Sequence, residues 1–131
     1  MAFTGNFMCT SFKQELMQAT HNFTNGTGDV FQIALYTNSA SFTAATTAAV
    51  FGAGNNEVAT SGTYTSGGPA GSTATNSLVN VTPTTSGTTA FTDFTDKSFT
   101  SATITARGAL IYNSSAGAGT NTANSIVVLD F

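Results

Sequence analysis

VFQIALYT (30–37) is the stretch whose period decides the fold. Phe31, Ile33 and Leu35 alternate with Gln32, Ala34 and Tyr36, which predicts a strand with a strongly buried face. Upstream the period is helical. Ser11 is placed to serve as an N-cap with Gln14 three residues on, and Phe12, Leu16, Met17 and Phe23 follow at helical spacing. NFTNGTGD (22–29) ends that helix with Asn and Gly. MAFTGNFMCT (1–10), with Phe3, Phe7 and Met8 among small polar residues, reads as an N-terminal arm that packs on something.

Downstream, turn residues separate further short runs. EVATSGTYT (57–65) predicts a strand that enters the loop SGGPAGSTATNS (66–77). LVNVT (78–82) predicts a strand stopped by Pro83 and its TTSG turn. AFTDFTDKSF (90–99), SATITARGALIYN (101–113) and SIVVLDF (125–131) predict three more strands, the last two joined by the loop SSAGAGTNTAN (114–124), whose composition suits a mobile segment. Gly108 marks a bulge or a close approach of another backbone. The expected architecture is mainly β, a β-sandwich-like two-layer fold with one short N-terminal helix. All 131 residues fit a single domain, because a second core would have too little apolar surface to bury.

Charge is scarce. Asp, Glu, Lys and Arg make up 7% of the chain, against about 25% in an average domain, and Thr alone supplies roughly a fifth of it. Neutral hydroxyls and amides cost far less to desolvate than unpaired charges, so such a surface suits packing in an assembly. Lys13, Lys97 and Arg107 are too few to neutralise a run of phosphates, which argues against nucleic-acid binding. No run approaches the ~20 apolar residues of a membrane span, and the start lacks the basic and apolar regions of a secretory signal. Cys9 is the sole cysteine, so no intrachain disulfide forms and assembly in the cytosol is the simplest context.

Catalytic constellations are missing from the sequence. His21 is the sole histidine, and its pairing with Cys9 has little to mark it; Cys9 reads as a small buried hydrophobe and His21 as a residue of the last helical turn. Asp93 and Asp96 lie three apart, so in a strand they point to opposite faces and do not form a joint acid–base site. They suit pairing with Lys97 or Arg107, or plain solvation. Arg107, the sole arginine, suits either a partner among Asp93, Asp96 and Asp130 or an intersubunit salt bridge. The Gly-rich pieces at 26–28, 52–54 and 117–119 match no phosphate loop. The expectation is a protein with no enzyme activity, no cofactor and no metal.

Several segments, in order, resemble a family of small tailed-phage virion proteins. They are GNFMCTSFKQEL (5–16), HNFTNGTGDVFQIALYTNSASFTAATTA (21–48), NEVATSGTYTSGG (56–68), GTTAFTDFTDKSFTSATITARGALIYN (87–113) and VVLDF (127–131). ARGALIYN (106–113) is the most characteristic part, and the resemblance runs over nearly the whole chain. It implies a mostly β virion component, a capsid decoration protein or a tail-associated subunit, with no family catalytic residue to carry over. AVFGAGNNE (49–57) departs from the pattern. Relatives continue past the D-F motif with a Gly-rich turn and two strands. The end at Phe131 therefore implies either a truncated chain or a SIVVLDF strand with an edge open to a partner.

The leading expectation is thus a capsid decoration (cement) protein that binds the major capsid protein and copies of itself as a homo-oligomer, assembled in the host cytoplasm and resident in the virion. A tail tube, adaptor, baseplate or fibre subunit is the alternative partner of other virion proteins. Phe3, Phe7, Met8, Arg107 and Phe131 are the candidate interface residues. A carbohydrate-binding module is a third class, with Tyr36, Tyr64 and Tyr112 as its aromatic candidates.

Overall fold

The computed structural model describes residues 3–47, 49–68, 74–115 and 124–131. Met1, Ala2 and most of the expected mobile loop at 114–124 lie outside them, as does the middle of the loop at 66–77.

The fold is mainly β and sandwich-like, with two antiparallel sheets and one α-helix among the described residues. In chain order the elements are β1 (Phe7–Met8), α1 (Thr10–Met17), β2 (Phe31–Tyr36), β3 (Asn80–Ser86), β4 (Thr89–Phe94), β5 (Gly108–Asn113) and β6 (Asn124–Asp130). One sheet has the order β1-β6-β5-β2 and the other is the hairpin β3-β4.

The four-stranded sheet is covered on both faces. By register Phe31, Ile33 and Leu35 share one face with Ile111 and Ala109, and Gln32, Ala34 and Tyr36 share the other with Tyr112 and Leu110. The main core draws on both faces, joining Phe31, Ala34, Tyr36, Leu110, Tyr112, Ile126 and Val128 to Phe3, Phe12, Phe23 and Phe42. Leu35, Val58, Tyr64 and Ala109 form a second cluster, with Phe99, Ile104 and Leu129 packed against it. β2 therefore buries both of its alternating sets, and Ile33 alone in it is partly exposed. Gln32 is buried because it has a partner: the Tyr112 hydroxyl, its cross-strand neighbour, donates to Oε1 at 2.9 Å.

β2 and β6 both have backbone alongside. Beside β2, Val58 and Leu78 donate backbone hydrogen bonds to the carbonyls of Leu35 (2.9 Å) and Phe31 (2.8 Å). Beside β6, β1 pairs Phe7 with Val128 and Met8 with Val127. Cys9 N then donates to Ile126 O at 2.9 Å, and Asn6 Oδ1 accepts from Asp130 N at 2.7 Å. The open SIVVLDF edge, one of the two alternatives raised for that strand, is instead lined by the chain's own N-terminal residues, a correction that matters for where partners can dock.

Other expectations change with physical cause. The helix starts at Thr10 with Cys9 as its cap, not Ser11, and no side chain caps it. Thr10 N donates to Ala44 O at 2.7 Å, so a loop carbonyl does the capping, and the Ser11 hydroxyl is buried without a partner among the described residues. EVATSGTYT forms isolated bridges rather than a strand. LVNVT is not stopped at Pro83: β3 continues to Ser86, with a register irregularity between Val81 and Thr84. A proline is tolerated there because β3 is an edge strand and the irregularity relieves the missing donor. Gly87 takes φ +60° at the first of two central residues between the paired Ser86 and Thr89, as a type II′ turn requires. In SATITARGALIYN the strand begins only at Gly108, preceded by a bond from Arg107 N to Tyr36 O at 2.8 Å; residues 101–106 alternate in burial yet belong to no strand.

Gly108 is the close approach the sequence suggests. A Cβ there would lie 2.5 Å from both Leu129 O and the Phe3 ring. The β5 irregularity sits elsewhere, between Ile111 and Tyr112.

Candidate functional site

The five expected interface residues have different fates. Phe3 is 3% exposed and packs on Phe42 with ring centroids 5.6 Å apart, so it belongs to the chain's own core rather than to a free arm. Phe7 is half-buried against that core. Met8 is exposed, and Phe131 is 63% exposed. Arg107 pairs with Asp130, one of the three partners considered for it, and donates a second bond to the main-chain oxygen of Phe131. That pair ties the start of β5 to the end of β6.

Neither pair weighed for chemistry is assembled. His21 lies past the end of α1 instead of in its last turn, with its ring fully buried among Phe12, Phe23 and Phe31. The Asn113 amide nitrogen is directed at Asp29 Oδ2 (2.8 Å) and at His21 Nδ1 (2.9 Å), while its Oδ1 accepts from Ser115 N (2.8 Å). Nδ1 is therefore the acceptor, and His21 Nε2–H donates to Glu15 at 2.7 Å. Both ring nitrogens are engaged, and neither faces Cys9. Cys9 is fully buried, and burial, reinforced by the Glu15 charge, raises its pKa to about 11. Asp93 and Asp96 are exposed. Asp93 accepts from Phe94 N at 2.7 Å, and Lys97 donates to Ser77 O at 2.9 Å instead of pairing with either carboxylate. Among the described residues no group of three or more His, Cys, Asp or Glu is placed to hold a metal ion. Nor is any described helix long and apolar enough to cross a membrane.

A polar cluster that the sequence reading missed centres on Glu57, which is 3% exposed. Its carboxylate accepts from Gly52 N (2.6 Å), Gly67 N (3.0 Å) and the Tyr64 hydroxyl (2.8 Å). Tyr64 in turn accepts from Leu35 N at 2.9 Å, so one carboxylate ties two loops to the edge of β2. Burial, then the Glu57 charge, pushes the pKa of Tyr36 well up; for Tyr64 burial is the largest cause, with Glu57 adding to it. The signal available beforehand was an isolated acid between Gly-rich pieces. Tyr36, Tyr64 and Tyr112, the aromatics a sugar-binding face needs, are all fully buried. A hollow of about 530 Å³ runs beside this cluster, lined by Thr37, Val58, Ser61, Thr103 and Ile104. Its wall offers uncharged side chains, since the Glu57 carboxylate is occupied internally.

The apolar surface is elsewhere, between the helix and the hairpin. Met8, Phe12, Leu16, Pro83 and Phe91 line a groove of about 360 Å³. It runs on, past Met8, Phe12 and Thr92, into a hollow of about 270 Å³ over Phe94, Ile111 and Val127. The hairpin creates this groove by its own shape. It is anchored at its base, where Phe94 packs on Phe31 (5.5 Å) and Phe23 (6.3 Å), which themselves stack at 4.3 Å. Asn80, buried there too, donates to Asp29 O at 3.0 Å. From Val81 to Asp93 the hairpin is exposed throughout. Such a groove suits association, because its walls offer apolar area and almost no charge.

No family model, no curated protein and no solved structure matches this chain.

Proposed function

We propose that the chain is a non-enzymatic structural protein of a tailed-phage particle, a capsid decoration protein that binds the shell and copies of itself. The observation that carries this reading is the ordered resemblance that culminates in ARGALIYN (106–113). Two features of the molecule support it. Charged residues are 7% of the chain, which lowers the desolvation cost of packing against neighbours. The β3–β4 hairpin projects with both faces open, a form that gains from neighbours outside the chain.

Virion composition tests the reading. Quantitative mass spectrometry of purified particles should find copies on the order of hundreds, because a cement protein follows the symmetry of the shell. A count of a few to a few dozen overturns the decoration role in favour of a tail-associated subunit. Absence from the particle overturns both.

A further inference from the structure

The loop that follows the helix, HNFTNGTGD (21–29), holds Asn25–Gly26, the one place in the chain where glycine follows asparagine. Such a pair is chemically labile. A peptide nitrogen can attack the carboxamide carbon of the asparagine before it, and glycine, with no Cβ, leaves the approach unobstructed. In a folded chain the attack needs a carboxamide free to turn, a nitrogen that is not hydrogen-bonded, and room for a ring.

Asn25–Gly26 meets these needs. Asn25 is exposed, and its backbone N donates to Thr82 Oγ1 on β3 at 3.0 Å, while its carboxamide makes no hydrogen bond among the described residues. Gly26 N donates to no described residue. Gly26 takes φ +80°, and a Cβ built on it would meet nothing within 4 Å. The asparagines that precede serine each fail a condition. Asn76 is 1% exposed, with Oδ1 accepting from Thr65 N at 3.1 Å and Nδ2 donating to Thr65 O at 2.7 Å. Asn113 is fully buried, its amide held between Asp29 and Ser115. At Asn38 and Asn124 the following nitrogens are engaged, Ser39 N with Thr37 Oγ1 and Ser125 N with Thr47 O, both at 3.4 Å.

We propose that Asn25 is a deamidation site of the folded protein, modified spontaneously with water as the one co-reactant. Gly26 N, on losing its proton, bonds to Asn25 Cγ, and the amide nitrogen leaves as ammonia, which closes a succinimide ring. Water then opens the ring at either carbonyl, giving aspartate or isoaspartate. The carboxamide and one water thus become a carboxylic acid and ammonia, with nothing oxidised or reduced. The acid ionises, so the formal net charge of −3 becomes more negative by one. The isoaspartyl product also routes the main chain through the side chain, lengthening it by a methylene beside the bond that ties this loop to β3. This goes beyond the virion reading and does not depend on it.

Incubating the purified full chain at mildly alkaline pH and physiological temperature, then locating aspartate and isoaspartate by peptide mass spectrometry, tests this. Acid should accumulate at Asn25 about tenfold or more faster than at Asn38, Asn76 or Asn113, a barrier difference of ~1.4 kcal/mol or more. The rate at Asn25 should stay close to that of the chain unfolded in guanidinium chloride, whereas folding should suppress conversion at Asn76 and Asn113. Asn25→Gln, an exposed change that should leave the circular dichroism spectrum as it is, should abolish the early acidic species seen on ion exchange. An Asn25 that stays amidated overturns the proposal. So does one that converts no faster than Asn38, or one that folding suppresses as far as Asn76.

Discussion

Strands β5 and β4 are both six residues long and both pair antiparallel, yet they live in opposite environments. Every residue of GALIYN in β5 is buried, whereas in TAFTDF of β4 five residues are exposed and Phe94 alone is partly covered. β5 has a neighbour on each edge and packed side chains on both faces; β4 has one ladder and one anchoring ring. Strand formation in this chain therefore has two distinct causes. The sheet forms because ordering it removes aromatic and aliphatic surface from water. The hairpin forms because a favourable turn and a ladder extend outward from a base that the core already holds.

Truncating the sheet's core should have the largest effect. Phe31→Ala removes a fully buried ring that touches both Phe23 and Phe94, and a loss of about 3–5 kcal/mol in urea denaturation is expected. Gly108→Ala should cost about 1–3 kcal/mol, since the new methyl meets the Leu129 carbonyl and the Phe3 ring and backbone must shift.

Phe94→Ala sharpens the contrast by separating the regions. Amides of residues 80–94 should then exchange at rates approaching those of open chain, while those of β5 and β6 keep their protection. If both regions lose protection together, the hairpin is an integral part of the sheet's folding unit and the distinction drawn here fails. Raising the pH should act on the sheet side. The Cys9 thiol ionises more readily in the unfolded chain, near the ordinary value of about 8.5, than in the fold, where its pKa is about 11. Stability is therefore fully present below pH ~8.5 and declines as the pH rises through the folded value, with Tyr36 and Tyr64 adding to the fall above pH ~10. Cys9→Ala should remove the lower part of that decline, read as the urea midpoint against pH. The smallest effect belongs to the hairpin: Thr85→Ala, exposed on β3, should change stability by no more than about 0.5 kcal/mol.

The sheet strands were legible because burial imposes a period on sequence. VFQIALYT, the second half of SATITARGALIYN, and SIVVLDF all announce themselves through apolar residues. SATITAR shows what such alternation does and does not report. Ala102, Ile104 and Ala106 are indeed the less exposed set, but they belong to no strand, and backbone pairing with β2 starts only at Arg107. Period two records which side faces a core, and pairing depends on neighbours the local sequence does not contain. EVATSGTYT failed for a related reason. Its segment meets β2 at a single bridge, Tyr36–Glu57, and is held besides by the Glu57 and Tyr64 side chains. The hairpin's extension through Pro83 was hidden because an edge strand obeys weaker rules than a central one.

The groove was half visible. Phe12 and Leu16 mark one wall by helical spacing, and Met8 was singled out from the arm. Pro83 and Phe91 complete it only because the hairpin stands across the groove from α1 and Met8, a long-range placement with no local signature. Asp130 was one of three partners the sequence offers Arg107, and only the placement of β6 beside β5 selects it, while the removal of Phe3 into the core depended on the absence of a side chain at Gly108.

Cys9 offers a built-in clock. It is the single thiol of the chain, fully buried where β1 passes into α1, so a thiol reagent can reach it only when that junction opens. With a fast reagent in excess, the labelling rate measures how often the N-terminal strand lifts from β6. Under gentler conditions it measures how stable the closed form is. The same mass shift, followed against protein concentration, would report whether a neighbour bound over Met8 slows that opening.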